Sequence, residues 1–131
     1  MREALVVLNM GGDILYAHLP NGRTSVSIPD SRKLWEFIWE WRHQIRQIAH
    51  SHPGFGLPHP SKTDLGTFQA IEDGLGKKLY WPIITQNYRA TYYRIEGEYV
   101  LYKAERLLKD HRFWPYWVKV LHKESYEGKN T

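Results

Sequence analysis

The sequence predicts a mixed α/β (α+β) domain, a single mixed sheet covered by helices. Three observations point there. Short β-prone runs alternate with two stretches of helical periodicity, Gly- and Pro-bearing turns separate them, and the length of 131 residues suits one domain. A domain of that size buries about two-thirds of its unfolded-state surface, enough for a core without staples. Residues 1–123 are expected to form that domain, with Glu124–Thr131 as a frayed C-terminal tail.

Ala4–Leu8 is a β-prone apolar run, Gly11-Gly12-Asp13 a turn, and Ile14–Leu19 a second strand. Pro20-Asn21-Gly22 signals another turn, and the alternation in Thr24–Ile28 predicts a third strand. Pro29-Asp30-Ser31 opens a helix, with Asp30 or Ser31 as N-cap. Leu34, Trp35, Ile38, Trp41 and Ile45 recur at helical spacing, so a helix over Lys33–Gln44 is expected to bury Trp35, Ile38 and Trp41 against the sheet. Gln47–Ser51 suits a strand end, and Ser61–Leu75 a helix stopped by Gly76. Leu79–Thr85 reads as a strong strand. Ala90–Ile95 and Tyr99–Tyr102 flank a hairpin turn at Glu96-Gly97-Glu98. Lys103–Asp110 fits a short helix or a continuation of the hairpin. The aromatic run Phe113–Trp117 fits core, substrate contact or dimer contact.

Composition narrows the chemistry. The chain has no cysteine, so a metal can be held only by His, Asp or Glu, and the lack of thiols fits a cytoplasmic protein. The N-terminal apolar run is too short for a signal peptide's core or a membrane span. The net charge of +4 is spread out, with no run of five basic residues, which argues against a nucleic-acid partner. Most of the six Trp and nine Tyr are expected in the core, and some at a recognition groove.

The stretch HSHPGFGLPHPSKTD, from His50 to Asp64, concentrates the chemistry. Residues two apart on a strand share a face, so His50 and His52 aim two imidazoles at one point. The loop Pro53–Pro60 reverses the chain, and Asp64 enters the first turn of the next helix, from which its carboxylate can face the histidines. Two imidazoles and a carboxylate, with no thiolate available, make a catalytic Zn2+ ligand set with a position left for water. Taken singly the pieces are ordinary: Ser61 with Asp64 is also a helix capping box. His59 is a spare ligand at most, and His18, His43, His111 and His122 show no partner pattern.

His-x-His-Pro, a loop, then Pro-Ser-x-x-Asp resembles the JAMM motif of the MPN/JAB metalloproteases. Glu3-Ala4-Leu5-Val6-Val7-Leu8 is similar to that family's glutamate-led strand, and the likeness spans about Glu3 to Gly97. Eleven residues separate His52 from Asp64, one more than the family's common spacing, and the loop is where one extra residue can be absorbed. The resemblance implies a JAB/MPN-like (cytidine-deaminase-like) fold and a zinc metallopeptidase or isopeptidase. It implies His50, His52 and Asp64 as metal ligands, Glu3 as general base and Ser61 as oxyanion donor. Glu36 and Glu40 are the competing acids. The implied substrate is the Gly-Gly tail of a ubiquitin-like or sulfur-carrier protein, bound extended, for which Leu79–Thr85 offers an edge. The alternatives are a JAMM-fold protein of the DNA-repair-associated type and a non-catalytic MPN scaffold that binds a protein partner.

Overall fold

The computed structural model describes residues 3–19 and 31–127. The elements are β1 (Leu5–Leu8), β2 (Ile14–His18), α1 (Arg32–Glu40), β3 (Gln47–Ser51), α2 (Lys62–Leu75), β4 (Trp81–Ile84), β5 (Tyr88–Ile95), β6 (Glu98–Arg106) and α3 (Tyr116–His122). Among the described residues, six strands form one sheet in the order β2-β1-β3-β4-β5-β6. Only β3 and β4 run parallel, and α2 forms part of the connection between them; the other neighbours are antiparallel. The architecture is the mixed α+β sheet that the alternation of strand and helix predicts. The expected turn at Pro20-Asn21-Gly22, the expected strand Thr24–Ile28 and the candidate cap Asp30 lie outside the described residues.

Period-two alternation splits the strand side chains between two cores. On one face Val7, Ile48, Trp81 and Ile83 pack against Leu34 and Ile38 of α1 and Phe68 and Ile71 of α2. On the other, Val6, Leu8, Ala49 and Ile84 pack against Trp117, Val118 and Leu121 of α3. Thus β1, β3 and β4 are buried on both sides, which explains why β1 and β4 are continuously apolar, while β3 carries Gln47, His50 and Ser51.

Several expectations are corrected. Leu79–Thr85 offers no edge, because β4 lies between β3 and β5; a short apolar run does not encode its position in the sheet. The first helix is capped by Ser31, whose hydroxyl accepts from the Leu34 N–H at 3.3 Å, but it stops at Glu40. Ile38 is therefore buried and Trp35 half-buried, while Trp41, at the C-cap, is 39% exposed and stacks on Phe37. The segment after Tyr102 is strand as far as Arg106. The tail expected from Glu124 is not frayed at its start: Lys123–Glu127 forms a π-helical turn with Ser125 buried. Residues 128–131 lie outside the described residues.

One polar residue holds the layers together. Glu72, near the C-terminal end of α2, is only 3% exposed. Its Oε2 accepts from the Leu79 N–H at 2.9 Å and the Trp81 indole at 2.8 Å; its Oε1 accepts from the Tyr99 hydroxyl at 2.6 Å. Arg94 stands 3.6 Å from the same carboxylate. A buried carboxylate is tolerable only with donors like these, and removing it strands them. Glu72→Leu is expected to destabilise the fold by about 3–5 kcal/mol in denaturant titration. The exposed neighbour's Asp73→Ala should change stability little.

Candidate metal centre

The site begins with β3, which pairs with β1 through Leu5 opposite His50 and with β4 through His50 beside Ile83. The His52 N–H donates to the Ile84 carbonyl at 2.8 Å, so extended backbone continues one residue past the strand. Hydrogen bonding on both sides therefore fixes His50 and His52 on one face. The loop that follows is anchored to the end of the sheet. The Gln86 N–H donates to the Gly54 carbonyl at 3.0 Å, and the Gly56 N–H to Asn87 Oδ1 at 2.7 Å. The Thr85 hydroxyl donates to the Gly56 carbonyl at 2.6 Å, and Tyr92 to the Pro58 carbonyl at 2.7 Å. Gly54 and Gly56 adopt φ of 88° and 93°, which only glycine takes up without strain. This course absorbs all eleven residues between His52 and Asp64 and delivers Ser61 to the start of α2.

The start of α2 is a reciprocal capping box. The Asp64 N–H donates to the Ser61 hydroxyl at 3.0 Å, and the Ser61 N–H to Asp64 Oδ2 at 2.8 Å. The same Oδ2 lies 2.9 Å from His52 Nε2 and 3.4 Å from His50 Nε2, and the two Nε2 atoms are 3.0 Å apart. Three potential ligand atoms thus converge, and His50, His52 and Asp64 are a group that could hold a metal ion. Burial alone raises the Asp64 carboxyl. Hydrogen bonds from His50 and His52, the charge of His50 and the Ser61 N–H outweigh it and hold the carboxyl well below its usual range. It is ionised, as a metal ligand must be. The side chains of His50, His52 and Asp64 are 11%, 18% and 21% exposed, so the group opens to solvent on one side.

The Ser61 hydroxyl accepts from the Asp64 N–H and keeps its own proton for donation; the residue is exposed. Glu3 sits two residues ahead of β1 and is half-buried. The register with β3 ends at Leu5 opposite His50; the Ala4 N–H goes to the Ser51 hydroxyl, and the charge of Glu3 acts on Tyr126. The Glu3 carboxylate takes no hydrogen bond or ion pair from any described residue. Glu36 is turned to solvent and paired with Arg32 at 3.0 Å, and Glu40 is exposed; neither joins the group. His59 stands 3.4 Å from the Tyr92 hydroxyl and is not part of it either.

Sequence reasoning misses the support behind the site. Tyr126, from the supposed tail, donates its hydroxyl to the His52 and Ile84 carbonyls. Burial pushes its phenol well above the ordinary range, and the nearby Glu3 charge adds to the rise. The Ser125 hydroxyl donates to the Ser51 hydroxyl at 2.7 Å, which in turn accepts from the Ala4 N–H at 3.0 Å. The π-helical turn therefore clamps the ends of β1, β3 and β4 where the site residues emerge. Phe113–Trp117 is divided: Trp114 and Trp117 are core, while Phe113 and Tyr116 are 69% and 72% exposed.

Calorimetric titration with a divalent cation is expected to show one site per chain. Asp64→Ala should weaken it by about 100-fold or more, since a ligand is lost, with the far-ultraviolet circular dichroism preserved.

No family model matches the chain, and no curated protein or solved structure matches it either.

Proposed function

We propose that the chain is a zinc-dependent metallopeptidase of the JAMM type, hydrolysing the bond after the C-terminal Gly-Gly tail of a ubiquitin-like or sulfur-carrier protein. The observation that carries the reading is the convergence of His50 Nε2, His52 Nε2 and Asp64 Oδ2 at separations of 3.0, 2.9 and 3.4 Å. Three corners of a tetrahedral zinc shell stand about 3.3–3.4 Å apart, given ligand distances of about 2.0–2.1 Å. The donor set fits as well, since imidazole nitrogen and carboxylate oxygen are ordinary zinc ligands. The likeness of His50-x-His52-Pro53 and Ser61-x-x-Asp64 to the JAMM motif supplies the reaction class. A glutamate two residues ahead of β1, where the motif has one, supports it.

Bound zinc supplies a Lewis acid and brings the pKa of a coordinated water toward neutrality. The residues of the chain supply the rest. Glu3, the general base that the JAMM likeness assigns, accepts a proton from the attacking water and returns it to the amine as the C–N bond breaks. Ser61, whose hydroxyl proton is free, donates to the carbonyl oxygen as negative charge develops there. Asp64 keeps the two imidazoles in register, itself held by the Ser61 N–H. Gly54 and Gly56 leave room for a substrate backbone near the metal group.

The reading is tested with a ubiquitin-like protein fused through its Gly-Gly terminus to a reporter. Release is expected to be chelator-sensitive, restored by zinc, and lost when the two glycines become leucine. Processing of an unrelated peptide or of DNA instead would overturn the substrate assignment. Glu3→Gln should retain zinc and fold while turnover falls about 100-fold or more. Retained turnover there, with loss in Glu36→Gln or Glu40→Gln, would move the base to α1.

A further inference from the structure

A cleft lies on the sheet face opposite the metal group. Its volume is about 640 Å³, and Tyr80, Arg89, Tyr102, Lys103 and Trp117 are among its walls. Successive residues of a regular strand point to opposite faces, yet Tyr102 and Lys103 both line this cleft. The register explains it. Thr91 pairs with Lys103 and Tyr92 with Leu101, so Tyr102 is an extra residue, a bulge that turns its ring onto the same face as Lys103.

The bulge completes a platform of rings. Tyr80 and Tyr93 stack with centroids 4.6 Å apart, and Tyr102 closes on them at 5.2 and 6.3 Å. Tyr102 remains 59% exposed. Lys78 projects over the Tyr93 ring at 5.5 Å. Arg89 is paired with Glu105, and Asp13, bonded to the neutral Asn9 side chain at 3.0 Å, keeps one negative charge in the cleft wall, so the excess cation is Lys78 beside the rings. Lys78 and Lys103 have no carboxylate partner among the described residues. The surface therefore offers ring faces with Lys103 and Lys78 beside them, and Tyr102 and Lys103 stand on β6, the edge strand, paired along its length with β5.

We propose that this face binds single-stranded nucleic acid, with bases stacking on Tyr102 and Tyr80 and phosphates meeting Lys103 and Lys78. An unpaired strand presents bare base faces and a regular anionic backbone, matching rings and cations together. A duplex hides the faces. An acidic peptide satisfies the lysines but leaves the rings unused. The site is independent of the metal group and of the chemistry proposed there.

The test is fluorescence anisotropy of the full chain with a labelled oligothymidylate of about ten nucleotides, at low and physiological salt. Binding is expected to weaken with salt, and Tyr102→Ala to weaken it at least about fivefold. Lys103→Glu should weaken it and flatten the salt dependence, while Lys33→Glu, an equal charge change on α1, should leave it nearly unaltered. Both cleft variants alter exposed side chains, and circular dichroism checks that they fold. No binding at low salt overturns the proposal. So does equal loss in Lys33→Glu, equal affinity for a duplex or polyglutamate, or full competition by a mononucleotide at the oligonucleotide's own concentration.

Discussion

One carboxylate oxygen, Oδ2 of Asp64, carries two structural duties. It accepts the Ser61 N–H at 2.8 Å, which closes the cap of α2, and it meets the imidazoles of His52 and His50 at 2.9 and 3.4 Å. Helix capping is normally a local matter with a worth of about 1 kcal/mol. Here the cap fixes the rotamer of a side chain that must reach another element. The start of α2, the loop from Pro53 and the outgoing end of β3 are thereby tied to one point. An Asp64 released from the cap would still begin a helix, but its carboxylate would no longer be directed at the histidine pair.

Around that point the fold is organised to keep the strand ends still. β3 is hydrogen-bonded on both edges, so its two histidines inherit the rigidity of the sheet. Tyr126 and Ser125 reach back across the opposite face to the carbonyl of His52 and the hydroxyl of Ser51. Glu72 fixes the far end of α2 through Trp81 and Tyr99. The helix is thus held at both termini, by Asp64 at one and Glu72 at the other, and it cannot slide along the sheet without breaking both sets of bonds. This preorganisation matters for a group of three potential ligands, because small displacements change the separations on which metal affinity depends.

The parts legible in the sequence are those set by short-range rules. The two-residue spacing of His50 and His52 determines their common face, and Ser61-x-x-Asp64 determines the cap. The capping reading and the ligand reading seemed to compete; the geometry shows that one oxygen serves both. The parts that were not legible depend on pairing between distant segments. Glu72 carries no signal in the sequence, because its three donors, from Leu79, Trp81 and Tyr99, come from later segments. The interior position of β4 is a property of the strand order, which no local pattern in Leu79–Thr85 encodes. Tyr126 looked like tail because its partners are 74 and 42 residues away. Tyr102 reads only as the end of a hairpin strand, because the bulge that turns its ring is a matter of register with β5.

The central claim is that His50, His52 and Asp64 form one metal centre. The most direct measurement is an anomalous difference map at the zinc absorption edge, from crystals of the chain equilibrated with zinc. The account predicts one strong peak about 2.0–2.2 Å from His50 Nε2, His52 Nε2 and Asp64 Oδ2. A protein that takes up zinc with its peak on other residues, or with Asp64 turned away from the ion, would contradict it.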